Sequence, residues 1–249
     1  MHKKLGIIAG GGAIPQDLIN FCKENKRDYF VIAIEGNADK ALIDDSIPHA
    51  WIRIGQAGTG FKKLAEEKVE EVIMIGTIKR PTLKDLVPGM TVRGIHEVLP
   101  ELLIKKGVLG KVKPSKQAKE DIRRAAEVAT ELGRLDVGQA VVVQQGLVLG
   151  VEGIEGTGEL VRRCGDYKRK GEGGVLVKIR KPQQDMRVDL PTIGDKTVQA
   201  AYEAGLSGIA LHAGNGLIVN EKETVKLADK LGLFVMGIDP AEFIRQREK

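Results

Sequence analysis

The sequence predicts an α/β protein made of two α/β domains. The first observation behind this is that apolar runs of strand length alternate with helically spaced apolar residues along most of the 249 residues. The second is a change of pattern between Pro81 and Pro114, where short amphipathic pieces rich in Leu, Gly and Lys interrupt that alternation. With VKPSK at 112–116 as a linker, we predict an N-terminal domain over residues 1–112 and a C-terminal domain over 113–249.

The N-terminal domain begins with a βαβ unit, in which a helical pattern joins two buried apolar runs. A second round follows, and its last strand has the apolar core VIMI, which is typical of a parallel strand covered on both faces. This pattern predicts a Rossmann-like domain. The predicted elements are a strand at 4–9, a helix at 15–25, strands at 29–34 and 50–54, a helix within 59–69 and a strand at 69–76.

The C-terminal domain combines a β-hairpin with strands that alternate with helices, which predicts a mixed sheet. Glycines and an aspartate mark the expected ends of its helices. The predicted elements are a helix at 121–133 closed by Gly133, a hairpin turning at Gln145–Gly146, a strand at 173–181, a helix capped by Asp195, strands at 208–212 and 216–219, a helix at 221–232 closed by Gly232 and a strand at 233–238.

Composition narrows the function classes. Only 4% of the residues are aromatic, which argues against a base-stacking surface for single-stranded nucleic acid, so we expect no nucleic-acid partner. Two cysteines are too few for a disulfide framework or a cysteine zinc site. No run approaches the ~18 apolar residues of a membrane span, so any membrane contact should be peripheral. The net charge of +5 fits either an anionic ligand or membrane, or simply a lysine-rich surface.

A glycine loop, Gly10–Gly12, follows the first predicted strand and precedes a helix. Such a loop exposes backbone N–H groups to phosphate, and Glu35 ends the second strand where a dinucleotide fold keeps a ribose-binding acid. However, Pro15 stands where the nicotinamide fingerprint needs a third small residue. Phosphate or sugar binding by Gly11 and Gly12 and a purely structural turn both remain open.

Charged residues cluster where the apolar strands of the C-terminal domain end, the place where α/β folds assemble their sites. Lys178, Lys181 and Arg187 could neutralise a pyrophosphate, while a carboxylate could bind Mg²⁺ or orient water. From the residues alone, Asp185 and Asp189 are equal candidates for that carboxylate. The acids near glycines are Asp136, Glu152, Glu155, Asp185 and Asp189.

The chain resembles the LpxI family, the UDP-2,3-diacylglucosamine pyrophosphatases of lipid A biosynthesis. The resemblance rests on AGGGAIP near the N-terminus, LDVGQAVVVQQGLVLGVEGIEGT at 135–157, GGVLVKIRKPQQDMRVDLPTIG at 173–194 and GLFVMGID near the end. It implies two domains with the substrate held between them, a catalytic C-terminal domain, and Mg²⁺-dependent cleavage to UMP and 2,3-diacylglucosamine 1-phosphate.

The resemblance also assigns roles to residues. Asp189 in the DLPTIG motif matches the acid essential for turnover, and Asp189, Asp185 and Glu155 are the expected Mg²⁺ ligands. We expect Lys178 and Lys181 to clamp the phosphates. The full set of expected substrate-binding residues is Gly11, Gly12, Thr77, Gln139, Thr157, Lys178, Lys181, Gln184 and Thr192.

The expected partners are a glycolipid nucleotide and the bacterial inner-membrane surface, for a cytoplasmic protein bound peripherally, with a homodimer as a further expectation. Two alternatives stay open. Gly158 stands where the family pattern usually has an acid, which would permit a non-catalytic nucleotide- or glycolipid-binding protein on the same fold. The other alternative is a nicotinamide-dependent oxidoreductase built on the glycine loop.

Overall fold

The computed structural model describes residues 3–40, 43–53, 55–76, 89–187 and 190–245. The chain divides into two compact units. The first contains Met1–Pro100 with Met186–Asp189, and the second contains Glu101–Asp185 with Leu190–Lys249. Among the helices of the described ranges, none is long and apolar enough to cross a membrane.

The N-terminal unit is built on a parallel five-stranded sheet, which confirms the predicted βαβ pattern. Every residue of its first and fourth strands is buried, as expected for strands covered on both faces. The sheet order is β3-β2-β1-β4-β5. The elements are β1 (Leu5–Ala9), α1 (Ile14–Glu24), β2 (Tyr29–Ile34), β3 (His49–Ile52), α2 (Ala57–Glu66), β4 (Glu71–Ile75), β5 (Thr91–Val92) and α3 (Ile95–Val98).

The C-terminal unit is built on a six-stranded mixed sheet, as the sequence predicts. Its elements are β6 (Gly107–Val108), α4 (Lys116–Arg134), β7 (Ala140–Gln144), β8 (Leu147–Val151), α5 (Thr157–Gly165), β9 (Val175–Lys178), β10 (Thr192–Ile193), α6 (Asp195–Glu203), β11 (Gly208–His212), β12 (Leu217–Ile218), α7 (Glu221–Leu231), β13 (Phe234–Ile238) and α8 (Pro240–Arg245). The order in the large sheet is β6-β13-β11-β9-β7-β8. Strands β9, β11 and β13 are parallel, β7 is antiparallel to both neighbours, and β10 pairs with β12 separately.

Two buried clusters cover the two faces of the large sheet. One contains residues of α5, α6 and α7, such as Leu160, Val198 and Ala228. The other contains residues of α4, such as Ile122 and Ala126. Alternate residues of each strand belong to the two different clusters, because successive side chains of a strand point to opposite faces of the sheet.

The C-terminal unit includes residues that the sequence pattern places in the N-terminal domain. Strand β6 pairs antiparallel with β13, through Gly107 with Gly237 and Val108 with Met236. The packing units therefore separate at Pro100–Glu101, earlier than the boundary predicted after residue 112. A strand of two residues, such as β6, is too short to be identified from the apolar periodicity of the sequence.

Three helix ends differ from the sequence prediction. Helix α4 begins at Lys116, inside the predicted linker, because the Ser115 side chain accepts a hydrogen bond from the Ala118 N–H. Gly133 lies inside this helix, and Asp136 adopts the left-handed conformation after it, with φ 57°. The chain thus reverses at an aspartate, which tolerates that conformation. Asp195 is the first residue of α6, and Gly194 is its N-cap.

The predicted hairpin turn is confirmed at Gln145 and Gly146. Both have positive φ, 54° and 76°, as two-residue hairpin turns require. The buried carboxylate of Asp121 in α4 accepts hydrogen bonds from both backbone N–H groups, at 2.9 and 2.7 Å. These bonds tie the hairpin to α4 and so fix the position of β7 and β8.

Candidate active site

One edge of the C-terminal sheet brings together several loops that carry predicted site residues. We call this the carboxyl edge: it contains the residues that follow β9, β11 and β13, the residues before β7 and the residues after β8. Because β7 is antiparallel to β9, Ala140 lies opposite Lys178, and the Glu152 N–H donates to the Ala140 carbonyl. The carboxyl ends of parallel strands are where α/β folds bind ligands.

Hydrogen bonds join four of the predicted residues at this edge. Gln184 donates from its side-chain amide to the Gln139 side chain at 3.3 Å and accepts from the Lys181 N–H at 3.1 Å. The Thr157 hydroxyl donates to Glu152 at 2.6 Å, and the Gln139 N–H donates to the same carboxylate at 3.4 Å. We call Gln139, Glu152, Thr157, Lys181 and Gln184 the edge network. The structure thus brings Gln139, Thr157, Lys181 and Gln184 together.

Glu152 is buried at the centre of the edge network, with 6% of its surface exposed. The sequence shows it only as one of five acids near glycines. Its position depends on Gly138, because a Cβ atom there would lie 2.0 Å from the Glu152 carbonyl oxygen. Glu152 therefore orients the loops before β7 and after β8 relative to each other.

The two lysines expected to clamp phosphate both have protein partners. Lys178 is buried, and its ammonium donates to the Thr192 carbonyl at 2.9 Å. Lys181 forms an ion pair with Asp136. Thr192 lies in β10, and its hydroxyl donates to the Leu190 carbonyl at 3.0 Å. Phosphate binding by these three residues stays a prediction, and at the lysines it would require phosphate to share or displace those contacts.

The expected magnesium ligands lie on different loops. Glu155 follows β8, and hydrogen bonds from its own N–H and from Arg163 hold the pKa of its carboxyl below the usual value. Asp185 follows β9. Over the parts of the chain that the structure describes, no three His, Cys, Asp or Glu side chains gather to hold a metal. Mg²⁺ usually takes one or two carboxylates together with substrate phosphates, so these donors suit it only with help from the substrate.

Two predicted residues, Asp189 and Thr77, lie outside the described residues. Asp189 is the residue to which the resemblance assigns turnover, and Thr77 is an expected substrate contact. Their roles stay predictions.

The glycine loop of the N-terminal unit lies at the carboxyl ends of β1 and β4. The Gly10 N–H donates to the Ile75 carbonyl, and Gly12 has φ 103°. Gly76 passes so close that a Cβ atom there would lie 2.5 Å from the Gly11 carbonyl oxygen. Helix α1 follows directly, but Pro15 lacks an N–H and the N–H groups of Gln16 and Asp17 donate to the Ala13 carbonyl, so anion binding at this loop stays a prediction.

Sequence reasoning missed two residues of the carboxyl edge, Arg180 and His212. Arg180 lies two residues beyond the end of β9, and His212 is the last residue of β11, so a polar residue at the end of an apolar run is the signal that could have found them. The Nε atom of Arg180 and the Nδ1 atom of His212 are buried without a hydrogen-bond partner in the described parts of the chain. Burial lowers the pKa of His212, the charge of Arg180 lowers it further, and Asp239 acts in the opposite direction.

Comparisons with known proteins match both units. Residues 4–112 match the LpxI N-terminal domain, and residues 105–236 match the LpxI C-terminal domain. The chain is also 39% identical over 279 aligned positions to the UDP-2,3-diacylglucosamine pyrophosphatase LpxI of Caulobacter vibrioides, and the alignment covers 96% of this chain and 99% of the relative.

Proposed function

We propose that this chain, which belongs to the LpxI family, hydrolyses the pyrophosphate bond of UDP-2,3-diacylglucosamine. The products would be UMP and 2,3-diacylglucosamine 1-phosphate, in lipid A biosynthesis. The observation that carries the proposal is the edge network, because it joins residues expected to bind substrate, Gln139, Thr157, Lys181 and Gln184, at one sheet edge.

Hydrolysis of a pyrophosphate adds water to one phosphorus and breaks the bridging P–O bond, so negative charge moves onto the leaving phosphate. Catalysis then needs positioned cations and hydrogen-bond donors together with a group that orients the water. We assign the second task to Asp189, as general base or metal ligand. The polar side chains of the edge network would orient the phosphates.

We include Mg²⁺ in the proposal, with Asp189, Asp185 and Glu155 as the candidate ligands. When bound, such an ion would neutralise phosphate charge as a Lewis acid. For Glu155 this requires its carboxylate to leave Arg163 or to share it. Chelation of the purified protein, followed by addition of Mg²⁺, Mn²⁺ or Ca²⁺, measures whether turnover depends on a hard divalent cation.

We further propose that the protein works on the cytoplasmic side of the inner membrane and binds it peripherally. Three apolar side chains lie exposed in the loops on either side of the β7–β8 strand pair, at the carboxyl edge. They are Leu135, which is 74% exposed, Val137, which is 49% exposed, and Ile154, which is fully exposed. Such side chains can contact acyl chains or the interface of a bilayer. A homodimer stays a prediction, which light scattering would test.

The experiment is to incubate purified protein with UDP-2,3-diacylglucosamine and Mg²⁺ and to measure UMP. Release of UMP that is lost in Asp189→Asn supports the proposal. No UMP at any metal concentration would reject it. Tight retention of the lipid product without cleavage would instead favour a non-catalytic glycolipid-binding protein, the function that Gly158 in place of the family acid would permit.

A further inference from the structure

Two buried polar atoms at the carboxyl edge lack partners. They are Nε of Arg180 and Nδ1 of His212, and in the described ranges neither forms a hydrogen bond. A buried donor or acceptor left unpaired costs about 1–3 kcal/mol, and folded proteins contain few such atoms. Two of them at the same sheet edge therefore need partners that the described residues do not supply.

Both residues lie at the same end of neighbouring parallel strands. Leu211 of β11 lies opposite Lys178 of β9; His212 is the last residue of β11, and Arg180 lies two residues beyond the end of β9. The charge of Arg180 also lowers the pKa of His212, after the larger effect of burial. They thus form one cluster at the place where the fold class binds its ligands.

Arg180 differs from the neighbouring Lys181 in having no acidic partner among the described residues. Within the described chain, no carboxylate lies within ion-pair distance of its guanidinium, whereas Lys181 pairs with Asp136. One guanidinium nitrogen, Nη1, donates to the Gln184 carbonyl at 3.2 Å, which joins Arg180 to the edge network. The planar fork of donors in arginine matches phosphate oxygens in a bidentate way.

His212 adds a donor without adding charge. Burial lowers its pKa, so the imidazole is neutral near pH 7 and one of its nitrogens carries a proton. None of the described residues bonds to Nδ1, so they do not fix which nitrogen carries the proton. A neutral donor beside an arginine suits a phosphate oxygen.

We propose that Arg180 and His212 form an anion site that binds a phosphoryl group of the pyrophosphate substrate. This inference rests on the proposed function for the identity of the ligand. Arg180 supplies the positive charge, and His212 supplies a directed hydrogen bond. Lys178 and Lys181 would act beside this site, while Lys178 also holds β10 through the Thr192 carbonyl and Lys181 also pairs with Asp136.

The test measures binding of inorganic pyrophosphate by calorimetry and kcat/KM for UMP release. Arg180→Met and His212→Leu should each weaken both by about tenfold to a hundredfold, the range for hydrogen bonds to a charged group. His212→Asn, which keeps a donor near Nδ1, should retain more affinity than His212→Leu. The matched control is Arg124→Met, since Arg124 lies on α4, half exposed and paired with Glu127.

Melting temperatures separate binding from folding. Arg180→Met removes the unpaired buried Nε together with the Nη1 bond to the Gln184 carbonyl, so its melting temperature should fall by only a few degrees while affinity falls about tenfold or more. Wild-type affinity in both Arg180→Met and His212→Leu would overturn the anion site, and so would the absence of pyrophosphate binding by the unmodified chain. Failure of that chain to release UMP would reject the proposed function, while the pyrophosphate measurement would still decide the anion site.

Discussion

Replacing Gly138 by Ala should disturb the edge network through backbone geometry alone. An ideal Cβ on Gly138 lies 2.0 Å from the Glu152 carbonyl oxygen and 2.9 Å from its carbonyl carbon. Real Cβ contacts essentially never fall below 3.0 Å, so the loop after β8 must retreat by about 1 Å. Backbone atoms cannot rotate away as a flexible side chain does. The retreat would move Glu152 and Thr157 away from Gln139.

The magnitude follows from two effects. Overpacking of a fitted site costs about 1–3 kcal/mol, and for a chain of this size each kcal/mol lowers the melting temperature by about 2–4 °C. A displacement of about 1 Å in residues that position substrate can lower turnover by about a hundredfold. We therefore expect Gly138→Ala to melt about 2–12 °C lower and to release UMP markedly more slowly.

Gly158→Ala is the matched control, because nothing lies within 4 Å of a Cβ atom at that position. Gly158 lies in the first turn of α5, where Ala is the better helix former by about 0.5–1 kcal/mol. This variant should keep its turnover and melt at the wild-type temperature or slightly above it. Calorimetry and UMP release are measured for both variants. Wild-type melting and turnover in Gly138→Ala would refute the reasoning, and wild-type turnover alone would show that the network does not position substrate.

Four further predictions use the same assays. Asp189→Asn should lower turnover by two or more orders of magnitude, about 2.7 kcal/mol or more of barrier, with product binding kept; normal turnover beside an inactive Asp185→Asn would move the assignment to Asp185. Lys178→Ala and Lys181→Ala should each lose about 1.5–3 kcal/mol of transition-state stabilisation, measured as a fall in kcat/KM. Unchanged kinetics in both variants would leave the lysines a structural role. Ile154→Asp should reduce sedimentation with phosphatidylglycerol vesicles without changing the melting temperature, since the side chain is fully exposed; equal sedimentation would remove Ile154 from the bilayer contact. Cys22 should resist iodoacetamide in the native protein at pH 8, by mass spectrometry, because burial raises the pKa of its thiol to about 11; rapid alkylation would contradict this.

The sequence predicts most elements of both units because their signals are local. Buried strands such as Leu5–Ala9 and Tyr29–Ile34 are continuous apolar runs, and the C-cap of α7 is Gly232, which adopts the expected left-handed conformation. Errors occur where two local signals compete. Gly133 suggested a helix end, but the left-handed residue is Asp136, since aspartate can also adopt that conformation.

The candidate site could be predicted only in part. Motif resemblance selects Gln139, Thr157 and Gln184, and the structure joins them. It does not select Arg180 or His212, because an arginine and a histidine 32 positions apart share no pattern in the sequence. Nor does it reveal that Lys178 donates to the Thr192 carbonyl, since that contact depends on where β10 lies.

The sequence by itself determines the α/β class, the number and type of most elements and the family, because apolar spacing, turn residues and long motifs are properties of the chain. Only the tertiary structure decides which residues meet at the carboxyl edge. The antiparallel pairing of β7 with β9 and the parallel pairing of β9 with β11 bring Gln139, Lys178 and His212 to one edge of the sheet. Those pairings arise from hydrogen bonds between distant segments and from burial on both faces of the sheet, and neither can be read from local spacing.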